Sequence, residues 1–147
     1  MISLINRMSR YFKNNHMGIL LIRVGTGLVF FMHGWTKVHN LPGVMGMFVH
    51  FGFVGPVGVF IAWLELIGGL ALILGVATRF FGAVFAIEMA VAFIVTGGLT
   101  LGYPQHEMEL LLLLLSLGIS VSGSGRYSLF AMECPDCGAM SCDVHKK

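Results

Sequence analysis

The chain has 147 residues, of which 56% are hydrophobic and only 11% charged, and its mean hydropathy is +0.86. A water-soluble domain of this size needs more charge to cover its surface, so the composition excludes that class and points to an integral membrane protein. The net charge of +2 offers no basic surface for nucleic acid, and the length suits one compact bundle.

Residues 1–15 alternate Ile2, Leu4, Ile5, Met8 and Phe12 with Arg7, Arg10 and Lys13. They read either as a short basic amphipathic helix on the membrane surface or as a basic tail that only sets orientation. No small-residue cleavage site follows, so no signal peptide is expected. Four apolar segments come next, at about 17–35, 54–78, 80–101 and 107–123. A span needs about 20 residues, and the fourth is short. The stretch 39–55 between the first two is apolar rather than loop-like, with Met45, Met47, Phe48, Phe51 and Phe53. It predicts a short interfacial or re-entrant helix. The expected fold is therefore all-α: a membrane four-helix bundle over 16–129 with a short interfacial helix after the first span. A tail over 130–147 follows it.

Four crossings place Arg7, Arg10, Lys13, Arg79, Arg126, Lys146 and Lys147 on one side and only Lys37 on the other. The positive-inside rule then puts both termini in the cytoplasm, with the protein in the plasma (inner) membrane.

Three ionisable residues interrupt three of the apolar runs: Arg23, Glu65 and Glu88. Each such charge at the bilayer centre costs roughly 2.5–3.5 kcal/mol on insertion scales. Arg23 shares a helical face with Gly27, Phe30, Gly34 and Lys37; Glu65 shares one with Gly58, Gly69 and Leu72; Glu88 shares one with Ala92 and Thr96. The expectation is a buried triad in which Arg23 reaches one or both glutamates. Two close carboxylates and one arginine would not all stay ionised, so one glutamate is expected to hold a proton. That arrangement suits proton-coupled redox or transport chemistry. It equally suits a lock on helix register, and both readings are open.

A second polar zone gathers His33, Lys37, His106 and Glu109 near the ends of the first and fourth segments. Singly these are ordinary interfacial residues; together they make a ligand pocket, with histidines suited to proton relay or hydrogen bonding to quinone. In the tail, Cys134, Cys137, Cys142 and His145 have the spacing C-x2-C-x4-C-x2-H. Three readings are open: a tetrahedral zinc site, a Cys134–Cys137 redox dithiol, or a tail with no site. No haem, flavin or nicotinamide motif is present.

The run LLIRVGTGLVFFMHGWTK over 20–37 resembles the opening signature of the DoxX family of small membrane proteins. WLELIGGLALILGVATR over 63–79 resembles its second signature. The likeness covers about 18–129 and carries Arg23, His33, Gly34, Lys37 and Glu65 onto the family pattern. It implies a four-helix membrane bundle and, from one branch, a quinone-linked oxidoreductase subunit acting on sulfur compounds or with thiol-linked partners. The expected function is a redox-linked membrane subunit working with quinone and a partner redox protein. The alternatives are a non-enzymatic scaffold or assembly factor, and a small-solute or proton carrier, for which four spans would call for a homo-oligomer.

Overall fold

A computed structural model describes residues 15–98, 106–125 and 127–128. The basic segment before them, and Cys134, Cys137, Cys142 and His145 after them, lie outside the described residues. The fold is all-helical, with five helices and no strand among the described residues. They are α1 (Asn15–His39), α2 (Leu41–His50), α3 (Gly55–Leu74), α4 (Thr78–Val95) and α5 (Glu107–Ser122).

Three of them, α1, α3 and α4, are long and apolar enough to cross a membrane. Helix α5 has 16 residues, about 24 Å of helix, short of a hydrocarbon core of about 30 Å. It nonetheless completes the bundle by packing antiparallel on α4. The predicted interfacial segment is helix α2. It is short and apolar, starts with Pro42 in its first turn, and packs on α3.

Two helices stop earlier than the apolar runs that contain them. Gly75 takes a left-handed conformation, φ 81°. Its N–H bonds Leu72 O and the N–H of Val76 bonds Ala71 O, a Schellman ending that closes α3 at Leu74. The same pair of bonds, Gly97 to Ile94 and Gly98 to Phe93, ends α4 after Val95. Apolar character continues through both turns, which is why the predicted spans overran them.

The bundle is two antiparallel hairpins. Helix α1 packs most extensively on α3, and α4 on α5. The first pair is in backbone contact: a Cβ added to Gly69 would lie 2.5 Å from Phe31 N, and one on Gly34 would lie 2.8 Å from Leu66 Cα. Small residues permit this approach, which dispersion then rewards. Gly34→Leu is accordingly expected to lower bundle stability by about 1–3 kcal/mol through overpacking. Thermal unfolding in detergent measures it, and an unchanged melting temperature would contradict the contact.

The hairpins meet through a smaller core. Phe30 of α1 stacks on Phe85 of α4 with centroids 3.8 Å apart and planes 5° from parallel. Leu72, Met89, Leu112 and Ile119 close around them. Above this core, between α3 and α4 and beneath α2, the hairpins separate. The face where α1 ends and α5 begins is called upper here, and the opposite face lower.

Candidate functional site

The polar residues inside the bundle form two separate groups. Fourteen residues separate Arg23 from Lys37 on α1, about 21 Å along a helix, so the two cations serve opposite ends.

At the lower end Arg23 is 1% exposed. Its Nη1 donates to Ser124 O and its Nη2 to Tyr127 O at 2.6 Å. Gly75 lies directly beside the guanidinium, since a Cβ there would sit 2.8 Å from Nη1. Arg23 therefore fastens the chain leaving α5 to α1 and to the α3–α4 turn. The expected pairing of Arg23 with Glu65 or Glu88 is not formed. Antiparallel packing sets Gly27 opposite Gly69 and Gly34 opposite Leu66, which puts Glu65 at the height of the upper end of α1 and beyond the reach of Arg23.

The residue that meets Glu65 is Lys37, with Nζ donating to Oε1 at 2.5 Å. The Glu65 side chain is 2% exposed and that of Lys37 23%. Glu88 of α4 lies against Glu65 and within the field of Lys37. One cation thus faces two carboxyl groups, as the sequence predicts, with Lys37 in place of Arg23. Oε2 of Glu65 and Oε2 of Glu88 are buried and receive no N–H or hydroxyl donor among the described residues. The two carboxyl groups are, however, within hydrogen-bonding distance of each other, so a proton on one is donated to the other. A proton shared by the pair satisfies part of this buried acceptor capacity and leaves the rest for a bound donor.

These three side chains line one cavity of about 470 Å³. Its walls are apolar, from Phe48, Phe51 and Phe53 above to Leu64 and Met89 below. Phe60 on α3 and Ile87 on α4 also line it and are 66% and 67% exposed. The cavity therefore opens sideways between α3 and α4, at a height where the surroundings of a membrane helix are lipid. The volume falls within the 300–1,000 Å³ common for small-molecule sites.

Thr96 lines the same cavity two turns above Glu88. Its hydroxyl donates to Ala92 O at 2.8 Å and lies 3.1 Å from His106 Nδ1. With its one proton given to Ala92, the hydroxyl accepts from Nδ1–H, which sets the His106 tautomer. His106 is 6% exposed, and Glu109 Oε1 is 3.9 Å from Nδ1. The predicted pocket of His33, Lys37, His106 and Glu109 is thus divided. His106 and Glu109 stand behind Thr96, whereas His33 lies beside Lys37 on the other side. The His33 ring is exposed and its Nδ1–H donates to Val29 O at 2.8 Å.

Sequence reasoning passed over Thr96 and Met47 as site residues. Thr96 was visible on the Glu88–Ala92–Thr96 stripe. Met47 had no local signal, because only the fold of α2 over the bundle brings it in. Among the described residues no group of three or more His, Cys, Asp or Glu could hold a metal ion.

The geometry defines a small helical membrane protein with a lipid-facing cavity and a buried ion-pair set at its upper end. The DoxX family model matches residues 18–98, more than half of the chain, and the protein belongs to the DoxX family. It is similar to a protein of Bacillus subtilis (strain 168) named "Putative oxidoreductase CatD", with 39% identity over 82 residues. That match covers 56% of this chain and 61% of the relative's length. No solved structure matches the chain.

Proposed function

We propose that this protein is a redox-linked membrane subunit whose cavity receives the ring of a lipid-soluble quinone. The observation that carries the reading is the cavity itself. It is apolar, open toward lipid, and holds Lys37, Glu65 and Glu88 together at one end. A ligand entering from the bilayer would bury an apolar tail along the phenylalanines and present its polar head to charged groups.

The residues present fit that head. A quinone carbonyl accepts hydrogen bonds, and an ammonium has three N–H groups, of which Lys37 gives one to Glu65. A reduced ring carries hydroxyl donors, and the oxygens of Glu65 and Glu88 not engaged by Lys37 or by each other would accept from them. When bound, a quinone supplies a two-electron, two-proton couple, with electrons exchanged through a partner redox protein. The chain's own part is to bind the ring, exclude water from it and hold the exchanging proton on Glu65 or Glu88. The oxidoreductase name of the Bacillus subtilis relative agrees with such a role.

Titration of the purified, full-length protein in nanodiscs with a short-chain quinone tests the reading. Saturable binding is expected. Glu65→Gln should weaken it at least tenfold, a loss of about 1.4 kcal/mol or more, by removing the ion pair. Ala92→Phe should abolish it by filling the cavity from α4. Failure of the wild type to bind any quinone would end the proposal.

A further inference from the structure

Lys37 faces two cavities. Beside the lipid-facing one, a second hollow of about 540 Å³ lies between α1 and α2, lined by His33, Thr36, Lys37, Asn40 and Met47 among others. Among the described residues only Lys37 and Met47 line both. Their side chains form the partition between the two spaces.

The hollows differ in kind. The lipid-facing cavity holds both carboxyl groups and most of the aromatic wall. The second hollow also has mostly apolar walls, with Met32, Val44 and Met47, but it carries the polar residues at the upper end of α1 and the turn after it. His33, Thr36 and Asn40 are all exposed there. The Thr36 hydroxyl bonds its own helix at Met32 O and the His33 Nδ1–H bonds Val29 O. The Nε2 edge of His33 and the Asn40 amide remain for water. The stem of Lys37 thus starts at an open vestibule that carries three exposed polar side chains, and its Nζ ends on Glu65, whose own side chain is 2% exposed.

We propose that this vestibule is an aqueous port and that Lys37 is the gate passing protons between its water and Glu65. The inference rests on the reading that the lipid-facing cavity takes a proton-exchanging ligand. The transfer is simple to balance. The Lys37 ammonium gives the proton of its N–H···Oε1 bond to Glu65, leaving an amine and a neutral carboxyl. A hydronium ion reaching the vestibule from bulk water then protonates the amine and is left as water, and the Glu65 proton passes to Glu88 or to the ligand head. One proton enters at the vestibule and one leaves into the cavity; release runs the same steps backwards. The charged and titratable groups facing Lys37 are Glu65 on α3, Glu88 on α4 and His33 on α1, while α2 brings Val44 and Met47. No carboxyl group lines the vestibule among the described residues, so the proton-accepting side chains there are His33 and Lys37, and only Lys37 reaches Glu65.

Such a port resolves a conflict in the cavity. A site filled from lipid and covered by aromatic rings excludes water, yet its chemistry needs protons. Separate entrances for the ligand and the proton meet both demands, and the partition keeps water off the ring.

The test uses full-length protein in lipid vesicles, with Cys134, Cys137 and Cys142 each replaced by Ser and single cysteines introduced elsewhere. Thr36→Cys and Asn40→Cys are expected to react with a charged, membrane-impermeant thiol reagent at least tenfold faster than Ile87→Cys and Val91→Cys. The latter two should react with a lipid-soluble maleimide. A second measurement follows the carboxyl infrared bands, assigned through Glu65→Gln and Glu88→Gln, after a pH jump. Their response should slow at least tenfold in Lys37→Met. It should slow likewise in Thr36→Trp, which plugs the vestibule and leaves the Lys37–Glu65 pair in place. Equal reaction of all four cysteines with the charged reagent would overturn the proposal, as would an unslowed carboxyl response in Thr36→Trp. Neither measurement needs a quinone, so failure of the port and failure of quinone binding are read separately, and a wild type that binds no quinone removes the ligand the port would serve.

Discussion

Lys37→Met is expected to destabilise the protein by about 3–5 kcal/mol, the usual cost of removing one partner from a buried ion pair. Glu65 is the reason. Its side chain is 2% exposed, its Oε1 is held by Lys37, and its other polar neighbour is the carboxyl group of Glu88. Without Lys37 the carboxylate faces Glu88 with no cation between them. The second substitution should reverse much of the effect: Lys37→Met with Glu65→Gln replaces an uncompensated charge by a neutral amide and is expected to recover more than half of the loss. Thermal unfolding of the four proteins of this double-mutant cycle in one detergent gives the coupling directly. Additive effects would mean that the pair contributes nothing as a pair. Loss of quinone binding in the double variant, with stability recovered, would separate the functional role of the pair from its structural one.

The helices were legible because lipid imposes a simple demand on them. Backbone groups must be satisfied within each span, so long apolar runs with few charges declare themselves, as do α1, α3 and α4. The Gly27/Gly34 face was legible for a related reason: only small residues let helices touch. The partner of each buried charge was harder to read. Helical spacing gives the direction in which a side chain points and says little about its height against another helix. That height comes from register, here set by Gly34 on Leu66 and Gly27 on Gly69. These contacts join residues far apart in the chain, and one helical turn of slip would change every pairing.

Lys37 shows a second limit. Its place near the end of an apolar run marks it as a member of the predicted pocket with His33, His106 and Glu109, and not as the partner of Glu65. It becomes a cavity residue because α2 folds back over it, and because its long stem carries the ammonium to Glu65 on α3. Glu65 and Glu88 do meet at the site, as their stripes suggested. What the sequence could not show is that the cation between them comes from above.

Arg23→Leu is expected to cost about 3–6 kcal/mol, from two hydrogen bonds to a charged donor at about 1.5–3 kcal/mol each. The bonds run to Ser124 O and Tyr127 O, carbonyls beyond the end of α5 that no helical ladder bond satisfies in their place. Arg23→Lys should recover only part of the loss. A planar guanidinium directs two N–H groups at two carbonyls in a fixed fork, whereas one ammonium nitrogen on a shorter, flexible stem does not reproduce that geometry. Limited proteolysis should then cut the chain beyond Ser122 faster in both variants, and fastest in Arg23→Leu. The informative comparison is with ligand affinity. Arg23 lies about 21 Å along α1 from Lys37 and lines neither the cavity nor the vestibule. The folded fraction of Arg23→Leu is therefore expected to bind quinone within threefold of wild type. A tenfold loss of affinity there, with Lys37 still on Glu65, would show that the lower arginine acts on the site through the Phe30–Phe85 core. Unchanged affinity with a looser chain end would confine Arg23 to its visible task. It holds the end of the bundle closed while Lys37, at the other end of the same helix, serves the two carboxyl groups.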